Sequence, residues 1–260
     1  MTKKITKLVL PVGGVGERLR PLTLSCPKAL IKVNGRCILD YALDEVKGTN
    51  INEVILIISS QHKEFFDKYL RDNYSRFSDL TFHIRIQEEA FGNGDALLKA
   101  ADLLGNEPFI FRFVDDLLIS DKSVLGYLSD LYDDYQSPIF VLIRVPQGDV
   151  SRYGVVAVQE KDSAKNIYRI IEFIEKPKPE EAPSNLIFIG GGVMTYKIIE
   201  QLLKLQNSDR EVKDGLPITD AFVSYLKEKG VIYGWEFLGK RLDCGTLEGL
   251  EEAEKYLAKI

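Results

Sequence analysis

The chain has 260 residues and a formal net charge of −5, with 45% hydrophobic and 28% charged residues. This composition is typical of a folded globular protein, and the negative charge argues against nonspecific nucleic-acid binding, which needs a positive field. No stretch approaches the ~20 apolar residues of a membrane span, and the apolar run near the N-terminus is shorter than that of a signal peptide, so we expect a cytoplasmic protein with neither nucleic-acid nor membrane partners.

The first half of the chain alternates apolar runs of strand length with segments of helical pattern. Strands are predicted at Lys7–Val12, Glu53–Ser59, Thr81–Gln87, Phe109–Val114 and Ile139–Val145. Helices are predicted between them at Ile38–Val46, Lys63–Leu70, Asp95–Leu104 and Val124–Tyr132. Such alternation indicates a largely parallel sheet that helices cover on both faces.

The second half begins with two strands that no helix separates, Val155–Gln159 and Ile167–Ile174, joined by a polar turn. The proline-rich segment 176–183 cannot be a helix interior or a central strand. It could be a domain linker, but we favour a surface loop because a strand follows at once. The remaining predicted elements are a strand at Leu186–Val193, helices at Lys197–Leu205 and Ile218–Lys229, a strand at Val231–Phe237 and a helix at Leu247–Leu257. We therefore predict one α/β domain over residues 1–260.

Cysteine and histidine offer little for a metal site. The three cysteines, Cys26, Cys37 and Cys244, lie far apart without a CxxC pair, and the chain has only two histidines. Neither a disulfide framework nor a zinc site is expected. A metal here would have to use carboxylates, which suits Mg²⁺.

A glycine-rich loop, VGGVGERLRPLT over residues 12–23, follows the first predicted strand. Gly13, Gly14 and Gly16 would let backbone N–H groups come close to a phosphate or a base. The loop is not a Walker loop, because the pattern GxxxxGK[ST] is absent.

The same loop departs from the dinucleotide-binding fingerprint. That fingerprint needs a third glycine where this chain has Leu19, and its helix would be broken by Pro21. A phosphate loop that carries its own cations fits better, with Arg18 offering bidentate donors and Lys28 a second charge. A surface loop with solvated arginines is the alternative.

The loop and the following Pro27-Lys28 resemble the signature of the sugar-1-phosphate nucleotidylyltransferases, Gly-Gly-x-Gly-x-Arg-Leu-x-Pro-Leu-Thr followed by Pro-Lys. The resemblance extends from about Leu8 to Tyr256. It implies a three-layer Rossmann-like fold with a mixed, mainly parallel sheet. It also implies transfer of a nucleotide from a nucleoside triphosphate to a sugar 1-phosphate, with release of pyrophosphate. The nucleotide-binding half would span about 1–135 and the sugar-phosphate-binding half about 136–260.

The resemblance assigns roles within the first half. Arg18 and Lys28 would be catalytic, and Glu17 would bind the nucleotide together with the three glycines Gly13, Gly14 and Gly16. Gln87 and Gly92 would contact the pyrimidine base. A side-chain amide can donate and accept at once, as the O4 and N3–H edge of uracil requires, although Gln87 alone would be interpreted as a solvated strand end.

Two aspartates are the predicted ligands of Mg²⁺. Asp115 ends the strand Phe109–Val114, where carboxylates of parallel sheets face a ligand crevice, and Asp243 belongs to the late Asp-x-Gly motif. Without the resemblance, Asp115-Asp116 would equally suit a turn. We expect the two carboxylates to meet across the site within reach of one hydrated Mg²⁺.

Gly154, Glu175 and Lys176 match the sugar-phosphate elements of the family. The carboxylate suits sugar hydroxyls and the ammonium suits the phosphate of a hexose 1-phosphate. Taken alone, Glu175-Lys176 would be an ion pair at a strand end.

Within the family, the sequence most resembles the bacterial type of UTP–glucose-1-phosphate uridylyltransferase, on the motifs around Glu175-Lys176-Pro177 and Asp243-Cys244-Gly245. It departs from that branch at Gly190-Gly191-Gly192, where Gly-Arg-Tyr is usual, so a thymidylyltransferase stays open. A nicotinamide-dependent oxidoreductase and a noncatalytic nucleotide-sugar sensor are the remaining alternatives. The sequence leaves the oligomeric state open, a homo-oligomer included.

Overall fold

A computed structural model describes residues 3–208 and 215–260. The described part contains strands and helices in an α/β order. The strands are β1 (Lys7–Pro11), β2 (Lys32–Val33), β3 (Arg36–Cys37), β4 (Glu53–Ile58), β5 (Thr81–Ile86), β6 (Phe109–Arg112), β7 (Asp116–Ile119), β8 (Ile139–Arg144), β9 (Gly154–Asp162), β10 (Ile167–Glu175), β11 (Leu186–Met194), β12 (Ile232–Glu236) and β13 (Lys240–Asp243). The helices are α1 (Ile38–Asp44), α2 (Lys63–Asp72), α3 (Asn93–Leu98), α4 (Ala101–Leu104), α5 (Val124–Tyr135), α6 (Tyr196–Gln206), α7 (Ile218–Lys227) and α8 (Leu247–Leu257).

Nine strands form one mixed sheet in the order β5-β4-β1-β6-β11-β8-β12-β10-β9. The first four run parallel to one another, and β8 and β12 form a further parallel pair. The strands β11 and β10 run against their neighbours, so seven of the nine point the same way. The predicted mixed, mainly parallel sheet is confirmed.

Two hydrophobic clusters lie on opposite faces of this sheet because side chains alternate along each strand. On β1, Leu8 and Leu10 join the first cluster while Val9 joins the second, and all three are fully buried. Helices α1, α2, α5 and α8 pack into the first cluster, and α3, α4, α6 and α7 into the second. The predicted three-layer arrangement is therefore confirmed.

The structure differs from the prediction in its short elements. The helix predicted at Asp95–Leu104 is divided into α3 and α4, because the N–H groups of Lys99 and Ala100 bond to carbonyls three residues back and tighten the turn. A small hairpin, β2-β3, and a separate two-stranded sheet, β7-β13, lie outside the main sheet and were not predicted. The segment 176–183 contains neither helix nor strand, as expected of a loop.

No helix in the described ranges is both long enough and apolar enough to cross a lipid bilayer.

Candidate active site

A cavity of about 580 Å³ lies where several parallel strands end. Val12, Gln87 and Val114 lie just beyond the carboxyl ends of β1, β5 and β6, and all three line it. Ligands of open α/β sheets bind at such strand ends. Of the predicted site residues, ten line the cavity: Gly13, Gly14, Arg18, Lys28, Gln87, Gly92, Asp115, Gly154, Glu175 and Asp243.

The glycine loop forms one wall of the cavity. A Cβ on Gly13 would lie 2.8 Å from the backbone nitrogen of Ser59, so only glycine lets the loop pack against the end of β4. Gly14 has open space where a Cβ would be. Gly16 is not in the lining; it has φ +66° and accepts a 2.8 Å hydrogen bond from the Thr23 hydroxyl, which shapes the loop. Glu17 is also outside the lining, with its side chain 75% exposed and 3.6 Å from Arg20.

The amide of Gln87 has one orientation that fits its neighbours. Its Nε2 lies 2.9 Å from the carbonyl oxygen of Gly92 and 2.8 Å from Oδ2 of Asp95. Since a carbonyl and a carboxylate both accept hydrogen bonds, the nitrogen must face them and both of its hydrogens are used. The expectation that Gln87 donates and accepts at once is therefore wrong. Only its Oε1 remains for a ligand, as an acceptor.

Gly92 is held in place by the segment that precedes α7. Its φ is +91°, and a Cβ there would lie 2.6 Å from the carbonyl oxygen of Leu216. The Leu216 N–H donates to the Phe91 carbonyl at 2.7 Å, and the Gly94 N–H donates to the Leu216 carbonyl at 2.9 Å. The loop between β5 and α3 is thereby fixed against the cavity with Gln87 beside it.

The small two-stranded β7-β13 sheet brings the two predicted metal ligands together. Its register pairs Asp116 with Asp243, which places Asp243 next to Asp115 although the two lie far apart in sequence. A Cβ built on Gly245 would lie 2.9 Å from Oδ1 of Asp243 and 3.1 Å from Oδ2 of Asp115, so these oxygens are within about 6 Å of each other. The expected meeting of the two carboxylates is confirmed.

Two carboxylates at this separation fit Mg²⁺ and fit zinc poorly. In the described residues no three His, Cys, Asp or Glu side chains group around a common point. Mg²⁺ binds commonly through one or two carboxylates and takes its other ligands from water and substrate phosphates. The donor set is therefore suited to a magnesium ion that arrives with, or is completed by, a phosphate ligand.

Lys28 is paired with a carboxylate of the protein. Its Nζ donates to Oδ2 of Asp115, and both side chains are about one-fifth exposed. Burial acts to raise the pKa of Asp115, but the Lys28 ammonium, with a smaller effect from Arg18, holds that pKa below its ordinary value. Asp115 is therefore ionised and neutralised by Lys28 in this structure.

Arg18 differs from Lys28 in its contacts. Its side chain is exposed at the cavity and makes no hydrogen bond or ion pair with another described residue. A Cβ on Gly245 would lie 3.2 Å from Nη2 of Arg18, so the guanidinium is close to the paired aspartates without bonding to them. Arg18 is thus free to bind an anionic ligand.

Asp116 and Arg241 are site residues that the sequence did not single out for a role. The Arg241 Nε donates to Oδ1 of Asp116 at 2.6 Å, and its Nη2 lies 3.2 Å from Oδ2 of Asp243. Burial acts to lower the pKa of Arg241, but the two carboxylates raise it above the ordinary value. Arg241 therefore fixes the orientation of Asp243. An arginine within a four-residue strand gave no signal of its own.

The β9-β10 pair forms the opposite end of the cavity. Gly154 pairs with Glu175 in the antiparallel register, and a Cβ on Gly154 would lie 3.2 Å from Oε2 of Glu175. Tyr153 and Phe188 add aromatic surface to this end, and Arg152 adds an exposed cation. No role was predicted from the sequence for Arg152 or Phe188.

Lys176 is the predicted sugar-phosphate residue that the structure does not place in the lining. Its φ is +47°, its side chain is 64% exposed, and its Nζ lies 3.9 Å from Oε1 of Glu175. A phosphate bound near Glu175 would have to draw this ammonium inward.

Residues 7–260 match the family model described as nucleotidyl transferase. The chain is 30% identical over 273 aligned positions to a Pseudomonas aeruginosa protein named UTP–glucose-1-phosphate uridylyltransferase, covering 97% of this chain and 95% of that one. A protein of the same name from Staphylococcus epidermidis is also 30% identical, with 95% of this chain and 90% of the relative covered.

A solved structure titled UDP-glucose pyrophosphorylase complexed with UDP-glucose superposes with a TM-score of 0.88 at 30% identity. The superposition covers 98% of this chain and 99% of that one. A UTP-bound enzyme structure from Acinetobacter baumannii gives a TM-score of 0.83 at 24% identity, which supports the fold alone.

Proposed function

The chain belongs to the nucleotidyl transferase family, and from this we propose that it transfers UMP from UTP to glucose 1-phosphate, producing UDP-glucose and pyrophosphate. The observation that carries the proposal is the convergence of Arg18, Lys28, Asp115 and Asp243 on one cavity. One unpaired cation, one cation that a carboxylate can release, and two carboxylates suit such a transfer. Negative charge develops on the phosphate groups during the reaction, and a metal ion takes part. The named relatives support UTP and glucose 1-phosphate as the substrates.

The transfer needs no covalent enzyme intermediate, because the sugar phosphate is already a nucleophile. One of its oxygens attacks the α-phosphorus of UTP in line, a new P–O bond forms, and the bond to the β-phosphate breaks. The chain then contributes positioning and charge neutralisation. In this proposal Arg18 stabilises the departing pyrophosphate and Lys28 neutralises charge around the α-phosphate.

The sugar phosphate would occupy the end of the cavity formed by Gly154 and Glu175. Glu175 would accept hydrogen bonds from sugar hydroxyls, and Lys176 would hold the phosphate once its exposed side chain moved inward. The nucleotide would occupy the other end, with Gly13 and Gly14 close to its phosphates and Gly16 shaping the loop. Glu17 remains a weaker candidate for nucleotide contact, because its side chain faces solvent.

Asp115 and Asp243 would hold Mg²⁺, which when bound would neutralise the phosphoryl groups. Lys28 and such an ion would compete for Asp115, since the Lys28 ammonium already bonds to it. We propose that Lys28 leaves Asp115 for the phosphate when substrate and metal arrive together.

The free Oε1 of Gln87 supports a uracil or thymine base. Uracil and thymine offer an N3–H donor at this edge, whereas N3 of cytosine and N1 of adenine are acceptors and would face another acceptor. Guanine also offers an N1–H donor, so the Gln87 oxygen would not exclude it. We expect guanine to be rejected because its ring system is larger. Gln87 does not distinguish UTP from dTTP, and the preference for UTP rests on the relatives.

A substrate grid tests the proposed function. Pyrophosphate release is measured with UTP, dTTP, CTP, ATP and GTP, each with glucose 1-phosphate, galactose 1-phosphate and mannose 1-phosphate, in the presence of Mg²⁺. We expect the highest kcat/KM with UTP and glucose 1-phosphate, a weaker reaction with dTTP, and poor use of the other nucleotides. Equal use of ATP and UTP, or higher activity with dTTP than with UTP, would contradict the proposal.

Asp95→Asn should weaken the discrimination between UTP and CTP. Asparagine can donate as well as accept, so of the two acceptors that fix the amide only the Gly92 carbonyl oxygen would still oppose the flipped Gln87 orientation that suits cytosine. Because a hydrogen bond to a charged group exceeds a neutral one by roughly 1 kcal/mol, the ratio of kcat/KM for UTP to that for CTP should fall about five- to tenfold.

Lys99→Met is the matched control for that measurement. Lys99 lies 3.2 Å from Oδ1 of Asp95 but does not contact Gln87, so its loss should leave the ratio unchanged. A general loss of structure in Asp95→Asn would lower both values of kcat/KM together. An unchanged ratio in Asp95→Asn would show that Asp95 does not set the orientation of the amide.

A further inference from the structure

Arg112 is a charged side chain buried beneath the active site. It is the last residue of β6 and is only 1% exposed. By volume it is the largest fully buried side chain in the described ranges. Its neighbours Phe109, Ile110 and Phe111 on the strand are all apolar and fully buried. Arginine is rarely buried to this degree unless its charge is paired.

The guanidinium joins three parts of the chain. Its Nη1 donates to the carbonyl oxygen of Gly190 at 3.1 Å, and its Nη2 donates to the carbonyl oxygen of Asp116 at 3.2 Å and to Oε1 of Glu45 at 3.1 Å. Glu45 follows α1 and is the counter-charge. Gly190 and Asp116 both line the cavity.

Gly190 belongs to a bulge in β11. Between the pairs Phe188–Leu142 and Gly192–Phe140, β11 has three residues where β8 has one. Gly190 and Gly191 have φ values of +61° and +110°, which glycine adopts readily. Bulges next to active sites redirect the chain, and this one turns residues 188–190 toward the cavity.

Arg112 leaves room only for glycine at position 190. A Cβ there would lie 2.6 Å from Nη1 of Arg112. The N–H of Gly190 in turn donates to Oδ2 of Asp116 at 2.8 Å. The bulge, the guanidinium and the turn after Asp115 therefore form one closed set of contacts.

The buried ion pair between Arg112 and Glu45 is expected to contribute little to stability. Nε of Arg112 and Oε2 of Glu45 are buried and have no hydrogen-bond partner in the described residues. A buried ion pair with unsatisfied atoms can be replaced by apolar side chains with little loss, and sometimes with a gain, in stability.

We propose that Arg112 is a positioning residue that sets the spacing between the β11 bulge, which forms the sugar end of the cavity, and the Asp115-Asp116 turn, which carries a metal ligand. The substrates named for its test rest on the proposed function. The contacts themselves do not depend on it.

The test separates positioning from stability with two variants. In Arg112→Met/Glu45→Met both charges are removed, so the melting temperature should stay close to that of the wild type while kcat falls roughly ten- to a hundredfold. KM for glucose 1-phosphate should rise more than KM for UTP, because the base end of the cavity does not contact Arg112. In Glu45→Gln the contacts of Arg112 to both carbonyl oxygens remain, so stability should fall while kcat changes less than about threefold.

A Mn²⁺ titration followed by electron paramagnetic resonance gives a readout that needs no substrate. The double variant should bind Mn²⁺ more weakly than the wild type, since the turn that carries Asp115 loses its support. If the wild type turns over none of the nucleotide and sugar pairs, the proposed function fails, and this titration still tests Arg112.

Arg112→Lys covers the case in which the double variant does not fold. It keeps the charge beside Glu45, but lysine is shorter than arginine and its single ammonium cannot bond to both carbonyl oxygens. Weaker Mn²⁺ binding and a lower kcat are therefore expected. Wild-type kcat, KM and Mn²⁺ affinity in a folded double variant, or in Arg112→Lys, would overturn the proposal.

Discussion

Arg18→Ala should lower kcat about 10²–10³-fold, the usual effect of removing one donor that stabilises a transition state. The reason lies in the position of the side chain: it is exposed at the cavity, close to Asp115 and Asp243, and bonded to no described residue. Because it supports no other part of the protein, its loss should change the free energy of unfolding by less than about 0.5 kcal/mol. Steady-state kinetics and thermal unfolding of the same preparation measure both effects.

Arg20→Ala is the control for this variant. Arg20 lies two residues away, is 52% exposed at its side chain and contacts only Glu17 at 3.6 Å among the described residues. It should keep both wild-type turnover and wild-type stability. A normal rate in Arg18→Ala would show that Arg18 does not act in the reaction, and unfolding of the variant would make it a structural residue.

Lys28→Met should lower kcat about 10²–10³-fold as well, and it should also tighten Mg²⁺ binding to the nucleotide-free protein. The second effect follows from the bond between the Lys28 ammonium and Oδ2 of Asp115. A metal ion that binds Asp115 must displace that ammonium, and an ion pair of this exposure stabilises by up to about 1 kcal/mol. Its removal should therefore raise the Mg²⁺ affinity roughly fivefold, as measured by calorimetry.

Lys240→Met is a suitable comparison, since Lys240 forms an ion pair with Glu252 at 2.7 Å outside the cavity lining. This change should leave both the Mg²⁺ affinity and turnover unaltered. An unchanged or weaker Mg²⁺ affinity in Lys28→Met would mean that lysine and metal do not compete for Asp115.

The main elements of the fold could be predicted from the sequence because their patterns are strong. The apolar runs that form β1, β4 and β8 are buried on both faces of the sheet and stand out from polar surroundings. The two-stranded sheet β7-β13 has strands of four residues with no clear alternation, and its pairing joins segments more than 100 residues apart. Such long-range pairing leaves no local signal in the chain.

Sequence motifs predicted part of the site, but they did not predict which side chains form hydrogen bonds or ion pairs with one another. The glycine loop, Asp115 and Asp243 follow from recognisable patterns and converge in the structure. That Gln87 uses both amide hydrogens on Gly92 and Asp95 depends on how the loop folds back onto β5.

Two further features of the site depend on partners brought in by the fold. Lys28 meets Asp115 across 87 residues, and Arg112 meets Gly190 across 78 residues. In the sequence Arg112 is only an interruption of an apolar strand, so its position under the cavity could not be inferred.

The chain is expected to convert one UTP and one glucose 1-phosphate to one UDP-glucose and one pyrophosphate. Phosphorus NMR follows all four species in one tube. With Mg²⁺ present, we predict that the signals of UTP and glucose 1-phosphate decline together while those of UDP-glucose and pyrophosphate grow in equal amounts, and that added pyrophosphate reverses the change. Cleavage of UTP to UDP and phosphate or to UMP and pyrophosphate, with glucose 1-phosphate left intact, would show that the chain does not catalyse this transfer.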